Sequence, residues 1–363
     1  MRRPETEIVE QQGKKRARRR RGESIMNTER QSAVRLIDEA LGFLFPAALR
    51  AAAVVRVADH MADGERSVER LAEACGADAR NLGRILRLLA TRGVVEETGE
   101  GRFRLTATGQ ALRSDVPHSA HAAILMLTDA TMWRPAGEMH RCLADGGSAF
   151  SGIFGTTFFD HFAQDAETAA VFHVGMAAMS EHENQPVAEA YDFPPVGTVV
   201  DVGGGHGGLL LEVLRRQANL NGVLYDQGHV LAGHRLGDHD DVTGRWTVAE
   251  GDFFSSVPRG DIYLLKRILH DWDDEQSATI LRNCERAMAP GGRILVIDAV
   301  VPPGDLPHQS KTLDLMMMAS LGGRERTRRD FVQLFDEAGL RLEKIVPTST
   351  VLSVVEAVSV SDS

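Results

Sequence analysis

The segment TVVDVGGGHGGLLLEVLRR, residues 198–216, constrains the fold most strongly, because an apolar strand runs there into three consecutive glycines and then into a helix. Glycines at such a turn let the main chain approach a ligand closely, since no side chains fill the space. Short apolar strands alternate with amphipathic helices in this half of the chain, which is typical of a parallel sheet covered by helices. We therefore expect an α/β, Rossmann-like domain that binds a nucleoside ligand.

The strands that we predict for this sheet are Thr198–Asp201, Gly222–Asp226, Asp261–Leu265 and Arg293–Asp298. A final pair, Leu340–Ile345 and Val351–Val358, is separated by a few residues, so it should form an antiparallel hairpin at the sheet edge. A further strand signal, third along the chain, precedes Gly251. The expected sheet is therefore mostly parallel and seven-stranded.

Residues 29–115 are predicted to form a mainly helical domain. Apolar residues recur at helical spacing from Ser32 to Ala58, where we expect Pro46 to separate two helices. Helices over Val68–Ala74 and around Leu82–Leu89 follow, and alternating apolar residues then flank two turn glycines. This order of helices and hairpin indicates a winged helix.

A winged helix can bind DNA, but its second helix, DARNLGRILRLLATRG, has few basic residues beyond the arginines of a solvated face. We instead expect the apolar stretch FLFPAALRAAAVV to pack against a second copy, which gives a homodimer. Residues 116–190 are predicted to be a helical linker that lines an acceptor pocket, and residues 191–363 the ligand-binding domain.

The chain carries a formal charge of −10, yet residues 14–21, KKRARRRR, are basic. Such a stretch can bind nucleic acid or an anionic membrane. We expect residues 1–28 to be a solvated, disordered tail, with Met26 as an alternative start. The N-terminal residues lack the apolar segment of a signal peptide, and no apolar run approaches the roughly 18 residues that span a bilayer, so we expect a cytoplasmic protein without nucleic-acid or membrane partners.

The glycine loop alone does not identify its ligand. It meets the dinucleotide-binding spacing G-x-G-x-x-G only loosely, through Gly203, Gly205 and Gly208, so NAD remains an alternative at this point. Asp226 ends the next strand, where a carboxylate accepts the hydroxyls of a ribose in either type of ligand. The loop and this carboxylate together predict a nucleoside.

Further acidic residues narrow the choice. Asp252 and Phe253 offer a carboxylate for an adenine amino group and an aromatic face for its ring, and Asp201 offers a partner for the ammonium group of a methionine tail. An acidic edge without a phosphate-binding basic residue suits a zwitterionic sulfonium better than a pyrophosphate. We therefore expect S-adenosylmethionine (SAM).

The segment LLKRILHDWDDE, residues 264–275, places His270 and Asp271 just past the C-terminal end of a strand, where ligands bind in parallel sheets. His270 is the candidate general base. The alternative is structural: a helix N-terminus capped by Asp271 or Asp273, with His270 as a solvated neighbour.

The segments DVGGGHG, GDFF, LKRILHDWDDE, APGGRILVIDAVVP and DLMMMASLGGRERT resemble those of the caffeate-type and antibiotic-pathway O-methyltransferases, over about residues 30–360. The resemblance implies a small aromatic or polyketide-like acceptor, SAM as methyl donor, and His270 as general base oriented by Glu325. A second orienting position is often glutamate in that family and is Asp298 here.

The resemblance also implies donor-binding residues, which fall on Gly203, Asp226, Asp252, Phe253 and Lys266. Trp133, Met176 and Met317 fall where the acceptor or the donor tail is contacted, and we assign Asp271 to the acceptor as well. Gly205 and Asp201 complete the expected donor site.

Methyl transfer to oxygen needs a nucleophile that loses its proton. A phenol near pKa 10 and a histidine near pKa 6.5 differ by about 3.5, so proton transfer costs about 5 kcal/mol, against about 12 kcal/mol for an alkyl alcohol. A phenol or another acidified hydroxyl is therefore expected as the acceptor. The carboxylates that follow His270 are adjacent in sequence and point in different directions, so we expect no metal ion.

Two alternatives remain at this stage. Some relatives of this family bind SAM but catalyse a hydroxylation or a decarboxylation, although the presence of His270 argues against this. The other alternative is a DNA-binding regulator that senses a ligand through the SAM site.

Overall fold

The computed structural model describes residues 31–362. They divide into two compact units, one ending at Gln110 and one beginning at Ala111. The expected tail, residues 1–28, and the alternative start at Met26 lie outside the described residues. None of the helices within residues 31–362 combines the length and the apolar character needed to cross a bilayer.

The helices of the first unit are α1 (31–41), α2 (Leu44–Val54), α3 (Val68–Cys75), α4 (Ala79–Ala90) and α5 (Ala107–Gln110), with a 3-10 turn at Asp59–Met61. Its strands are β1 (Arg66–Ser67), β2 (Val95–Gly99) and β3 (Arg102–Leu105), paired antiparallel in the order β1-β3-β2. The side chains of Ser67 and Asp78 cap α3 and α4, and Leu86 and Leu89 of α4 are fully buried. The mainly helical winged-helix domain is confirmed.

The break between α1 and α2 lies at Gly42 and Phe43, and not at Pro46 as expected. Pro46 occupies the first turn of α2, where the amide hydrogen that proline lacks would have no partner within the helix. Apolar side chains of this region, including Leu36, Ile37 and Phe43, are exposed. They form an uncovered apolar surface of the kind that protein partners cover.

In the second unit, six helices precede the sheet: α6 (His121–Leu127), α7 (Ala130–Gly137), α8 (Cys142–Asp145), α9 (Ala149–Phe154), α10 (Phe158–Gln164) and α11 (Ala166–Ala190), with a 3-10 turn at Met139–Arg141. Side chains of Asp129, Ser148, Thr157 and Asp165 cap four of them. An aromatic cluster centred on Phe150, buried against Phe158, holds these short helices together.

The strands of the sheet are β4 (Gly197–Val202), β5 (Leu220–Asp226), β6 (Trp246–Glu250), β7 (Gly260–Lys266), β8 (Met288–Val301), β9 (Arg326–Thr327), β10 (Leu340–Pro347) and β11 (Leu352–Ser359). Seven of them follow the order β10-β11-β8-β7-β4-β5-β6, and the short β9 pairs with β8. The pairs from β8 to β6 are parallel, whereas β11 is antiparallel to both of its neighbours. The predicted mostly parallel sheet with a C-terminal hairpin is confirmed.

The remaining helices are α12 (Gly208–Arg216), α13 (Gly228–Leu231), α14 (Asp274–Ala287), α15 (Gln309–Ser320) and α16 (Arg328–Glu337), with 3-10 turns at Leu236–Asp238, Asp240–Val242, Leu269–Asp271 and Val360–Asp362. Neighbouring residues on the central strands, such as Val199 and Val200, belong to two different buried clusters. The sheet is therefore apolar on both faces, and its polar residues gather where the parallel strands end.

Candidate active site

The glycine loop after β4 requires glycine for two separate reasons. Gly203, Gly205 and Gly207 have φ of 66°, 58° and 85°, a left-handed region that other residues rarely adopt. A Cβ on Gly203 would also lie 2.5 Å from Cδ1 of Ile268. The loop is therefore a cradle whose backbone is open to a ligand on its other side.

Asp226, at the end of β5, is bound to this loop. Its Oδ2 accepts a hydrogen bond of 2.9 Å from the amide of Gly205, and its Oδ1 accepts one of 2.7 Å from the amide of Gln227. The carboxylate is partly exposed and lines a cavity.

This cavity has a volume of about 610 Å³ and lies at the carboxyl ends of the central strands. Pockets for small ligands commonly measure about 300–1,000 Å³. Seven of the predicted site residues line it: Asp201, Gly203, Gly205, Asp226, Lys266, Met176 and Asp271. Residues predicted for the donor and residues predicted for the acceptor therefore line one cavity.

Among the described residues that line this cavity, the other seven predicted site residues do not occur: His270, Glu325, Asp298, Asp252, Phe253, Trp133 and Met317. The carboxylate of Asp252 accepts hydrogen bonds from the Phe254 amide, at 2.9 Å, and from Ser255 Oγ, at 3.2 Å, and so closes the turn after β6. Phe253 lies beside the glycine loop, because a Cβ on Gly203 would be 3.7 Å from its ring.

Trp133 and Met317 lie on helices away from the cavity lining. Trp133 is half-buried on α7. Met317 is buried near the end of α15, where its carbonyl accepts the amides of Leu321 and Gly322 and ends the helix. The contacts of Met317 are those of a core residue at a helix terminus.

Sequence reasoning missed two aromatic residues of the cavity lining. Phe159 of α10 and Phe172 of α11 line the cavity, and the ring of Phe159 stacks on that of Trp272 with centroids 5.7 Å apart. Their signal was a run of aromatic residues in the linker, whose pattern alone did not say which rings turn inward. Together with Met176 they make one side of the cavity apolar.

Asp201 is the carboxylate at the base of the glycine loop. It is 2% exposed, and its Oδ2 has no hydrogen-bond partner among the described residues. Burial raises the pKa of Asp201 to about 7, although the nearby Lys266 acts in the opposite direction. A buried carboxylate oxygen without a partner fits a site for a cationic group, such as the ammonium of SAM.

Lys266 ends β7 and points toward α11. Its Nζ donates to Ser180 Oγ and, at 2.5 Å, to Asn184 Oδ1, and it lies 3.9 Å from Glu183 Oε2. Burial lowers the pKa of Lys266 to about 8, against the effect of Glu183. Sequence reasoning found this lysine but not its partners on α11.

His270 lies in the 3-10 turn after β7 and is 5% exposed. Its Nδ1 is 2.8 Å from Glu325 Oε1, and its Nε2 is 3.4 Å from Asp271 Oδ1. Burial acts to lower the pKa of His270, but Asp271, Asp298 and Glu325 outweigh burial and raise the pKa to about 9. The structure thus brings His270 together with all three predicted carboxylates.

The turn that carries His270 is held by residues that sequence reasoning did not single out. The amide of Arg324 donates to the His270 carbonyl at 2.9 Å, and a Cβ on Gly323 would lie 2.0 Å from that carbonyl oxygen. The guanidinium of Arg326 donates to the carbonyls of Leu269, at 2.7 Å, and Trp272, at 3.1 Å. The segment GGRER, residues 322–326, therefore supplies both Glu325 and the hydrogen bonds that hold the turn at His270.

Asp298, on β8, is the shorter residue at the second orienting position. It is 1% exposed, and neither carboxylate oxygen has a hydrogen-bond partner within residues 31–362. Burial raises the pKa of Asp298 to about 6, while His270 opposes this rise. Asp298 therefore acts on the imidazole through its charge rather than through a hydrogen bond.

Within the described part of the chain, no group of three or more His, Cys, Asp or Glu side chains is arranged to hold a metal ion.

Two family models match the chain. Residues 37–115 match the O-methyltransferase dimerisation domain, and residues 137–341 match the O-methyltransferase domain. The phenazine O-methyltransferase PhzM of Lysobacter antibioticus is 40% identical over 325 residues, which cover 89% of this chain and 95% of that protein.

Solved structures agree with these matches. The SAH-bound structure of CalO1, a methyltransferase of calicheamicin biosynthesis, has 52% sequence identity and a TM-score of 0.85, covering 91% of this chain and 98% of that one. NcsB1, an O-methyltransferase of neocarzinostatin biosynthesis in complex with SAM and 2-hydroxy-5-methyl naphthoic acid, has 34% identity and a TM-score of 0.73, covering 87% and 96%.

Proposed function

Because the chain belongs to the SAM-dependent O-methyltransferases of secondary metabolism, we propose that it methylates a phenolic hydroxyl of a small aromatic acceptor, with His270 as general base and without a metal ion. One observation carries the proposal: Nδ1 of the buried His270 is 2.8 Å from Glu325 Oε1. A carboxylate at Nδ1 is the arrangement that makes the other ring nitrogen a base.

The hydrogen bond defines the tautomer of His270. Once His270, with its pKa of about 9, has lost a proton, Nδ1–H donates to Glu325 and the lone pair is on Nε2, which accepts the proton of the acceptor hydroxyl. Nε2 lies 3.4 Å from Asp271 Oδ1, and Asp271 lines the cavity. The acceptor hydroxyl therefore approaches Nε2 from the side of Asp271.

The carboxylates around His270 match it to a phenol. With a pKa of about 9, His270 differs by about 1 from a phenol near pKa 10, so proton transfer to the neutral ring costs about 1 kcal/mol in place of about 5 kcal/mol for an ordinary histidine. For an alkyl alcohol near 15.7 the cost is still about 9 kcal/mol. This difference supports a phenolic acceptor.

Bound SAM supplies an electrophilic methyl group on a sulfonium. Asp226 would hold its ribose and Asp201 its ammonium group, while Lys266 offers a cation for its carboxylate. Phe253, which lies beside the glycine loop, and Asp252 are proposed for the adenine. The unpartnered Oδ2 of Asp201 and the open backbone of the glycine loop support this assignment.

An aromatic acceptor is supported by the apolar wall of Phe159, Phe172 and Met176. The naphthoic acid bound to NcsB1 is a compound of this class. Trp133 and Met317 remain proposed contacts of the acceptor or the donor tail, as the family resemblance suggests.

We also propose that the protein acts as a homodimer. The match of residues 37–115 to a dimerisation domain and the exposed apolar side chains Leu36, Ile37 and Phe43 support this assembly. Sedimentation velocity at micromolar concentration should give the mass of a dimer, and a monomer there would contradict it.

The catalytic proposal is tested with His270→Ala and the exposed control His229→Ala. A panel of hydroxynaphthoic acids and a matched panel of aliphatic alcohols are incubated with labelled SAM. We expect transfer to a phenol only, a turnover at least about 10²-fold lower in His270→Ala, and a Kd for SAM, measured by calorimetry, within a few fold of wild type.

Unchanged turnover in His270→Ala would place the base elsewhere, and transfer to the alcohols alone would exclude the phenol. Excess chelator should leave turnover unchanged. Activity that is lost with chelator and restored by Mg²⁺ would overturn the metal-free mechanism.

A further inference from the structure

A buried ion pair joins α11 to the residue that follows β7. Arg267 Nε donates to Glu183 Oε2 at 3.0 Å, and Arg267 Nη2 donates to Glu183 Oε1 at 2.5 Å. Both side chains are less than one-tenth exposed, at 7% and 9%. Two parallel hydrogen bonds define the position of a guanidinium more tightly than a single contact does.

Arg267 begins the turn that carries the base. Its φ is 55°, a left-handed conformation that costs a residue other than glycine roughly 1 kcal/mol or more. The next residue, Ile268, packs against the glycine loop at Gly203, and His270 follows two residues later. The conformation at Arg267 therefore sets both the floor of the donor site and the position of the base.

The same helix also contacts the residue before Arg267. Lys266 donates to Ser180 and Asn184, which lie on α11 within one turn of Glu183. Further toward its N-terminus, α11 contributes Met176 to the cavity. One helix thus contacts the acceptor side of the cavity and the turn that bears the base.

The charges around this pair are arranged in two groups. Asp271, Asp298 and Glu325 surround His270, and Arg267 lowers the pKa of Asp271 and of Asp298 against the larger effect of burial, which raises both. On its other side, Arg267 pairs with Glu183, which Lys266 also approaches to 3.9 Å, and Arg326 is a further cation near Asp298.

Removal of either Glu183 or Arg267 would therefore leave the charge of the other uncompensated near the imidazole of His270.

We propose that Glu183 is a positioning residue for methyl transfer: through Arg267 it holds the turn that presents His270, and it cancels the charge of Arg267 at that place. This inference rests on the proposed role of His270 as general base. Glu183 touches neither the acceptor nor the donor in this scheme.

The test compares Glu183→Gln, Arg267→Met, the double variant and the control Glu189→Gln. Glu189 is on the same helix but is exposed and pairs only with surface residues among those described. For each protein we would measure thermal unfolding, the Kd for SAM by calorimetry, and kcat and kcat/KM against pH with a hydroxynaphthoic acid acceptor.

For Glu183→Gln we expect kcat roughly 10- to 100-fold lower, as for a misplaced catalytic group, with a Kd for SAM within a few fold of wild type. Loss of a negative charge should also move the rise of kcat/KM with pH to lower pH. Arg267→Met removes a positive charge, so its rise should move to higher pH. In the double variant the two displacements should largely cancel, whereas Glu189→Gln should match wild type.

Opposite displacements separate positioning from simple loss of packing, which would lower both variants' stability without moving the profiles apart. If the two profiles stay in place or move the same way, the inference is wrong. If Glu183→Gln equals Glu189→Gln in kcat while His270→Ala is inactive, the inference fails and the proposed function stands. If His270→Ala retains full turnover, the proposed function itself fails.

Discussion

Replacement of Glu325 by glutamine removes one of three carboxylates that act on His270 while keeping the shape of the side chain. Together the three raise the pKa of His270 from 6.5 to about 9, a net rise of 9 − 6.5 = 2.5 that includes the opposing effect of burial. On average, each carboxylate thus raises the pKa of His270 by more than about 0.8. We expect the pKa of His270 in Glu325→Gln to fall by about 1, because the protonated imidazole loses its hydrogen-bonded anion.

Glu325→Gln should also lower the plateau of kcat by roughly 10²-fold or more, since a neutral amide orients the ring and stabilises the developing imidazolium less well. The assay measures kcat and kcat/KM for a hydroxynaphthoic acid from pH 5 to 10, with exposed Glu337→Gln as control. We expect the rise of kcat/KM with pH to move to lower pH by about 1 pH unit. A rise that moves upward, or an unchanged plateau, would refute the role given to Glu325.

Two further predictions follow from the same geometry. Gly203→Ala should weaken SAM binding at least about 10-fold, as measured by calorimetry. Alanine in a left-handed conformation costs about 1–2 kcal/mol, and its Cβ would lie 2.5 Å from Ile268. The control Gly244→Ala, at φ 79° with nothing near its Cβ, should retain wild-type affinity. The protonated His270 should stabilise the folded protein below pH 6.5 and lose this contribution of about 3 kcal/mol as pH rises through about 9. The melting temperature should therefore fall over that interval more in wild type than in His270→Ala.

The fold was largely predictable because its signals are local. The strands around the glycine loop end within two residues of their predicted positions, since apolar runs between turn residues define them. The strand β8 is longer than expected, Met288–Val301 in place of Arg293–Asp298. Gly291 and Gly292 indicate a break in the sequence, but Met288 still pairs with Gly260 of β7.

The site was predictable only in part. The glycine loop and His270 are marked by residues next to them in the chain, whereas Glu183 and Arg267 pair across 84 residues. Glu183 lies in the polar run SEHEN, where its spacing is that of a solvated helix face. Its burial follows only from the packing of α11 on the end of β7, which no local pattern encodes.

Asp201 and Asp298 have buried carboxylate oxygens without hydrogen-bond partners among the described residues. The charges that take part in the proposed reaction explain why such carboxylates are present. Asp201 and Asp298 are each at most 2% exposed and lack full hydrogen bonding among the described residues, an arrangement that destabilises a folded protein. Each lies where the proposed mechanism brings a positive charge: an ammonium group at Asp201, and the imidazolium of His270 at Asp298. Folding thus orders both carboxylates at the places where these positive charges lie, so little reorganisation remains for the chemical step. The two carboxylates lower the free energy of unfolding, but they stabilise the bound donor and the transition state. This is the relation expected when activity requires a destabilised active site.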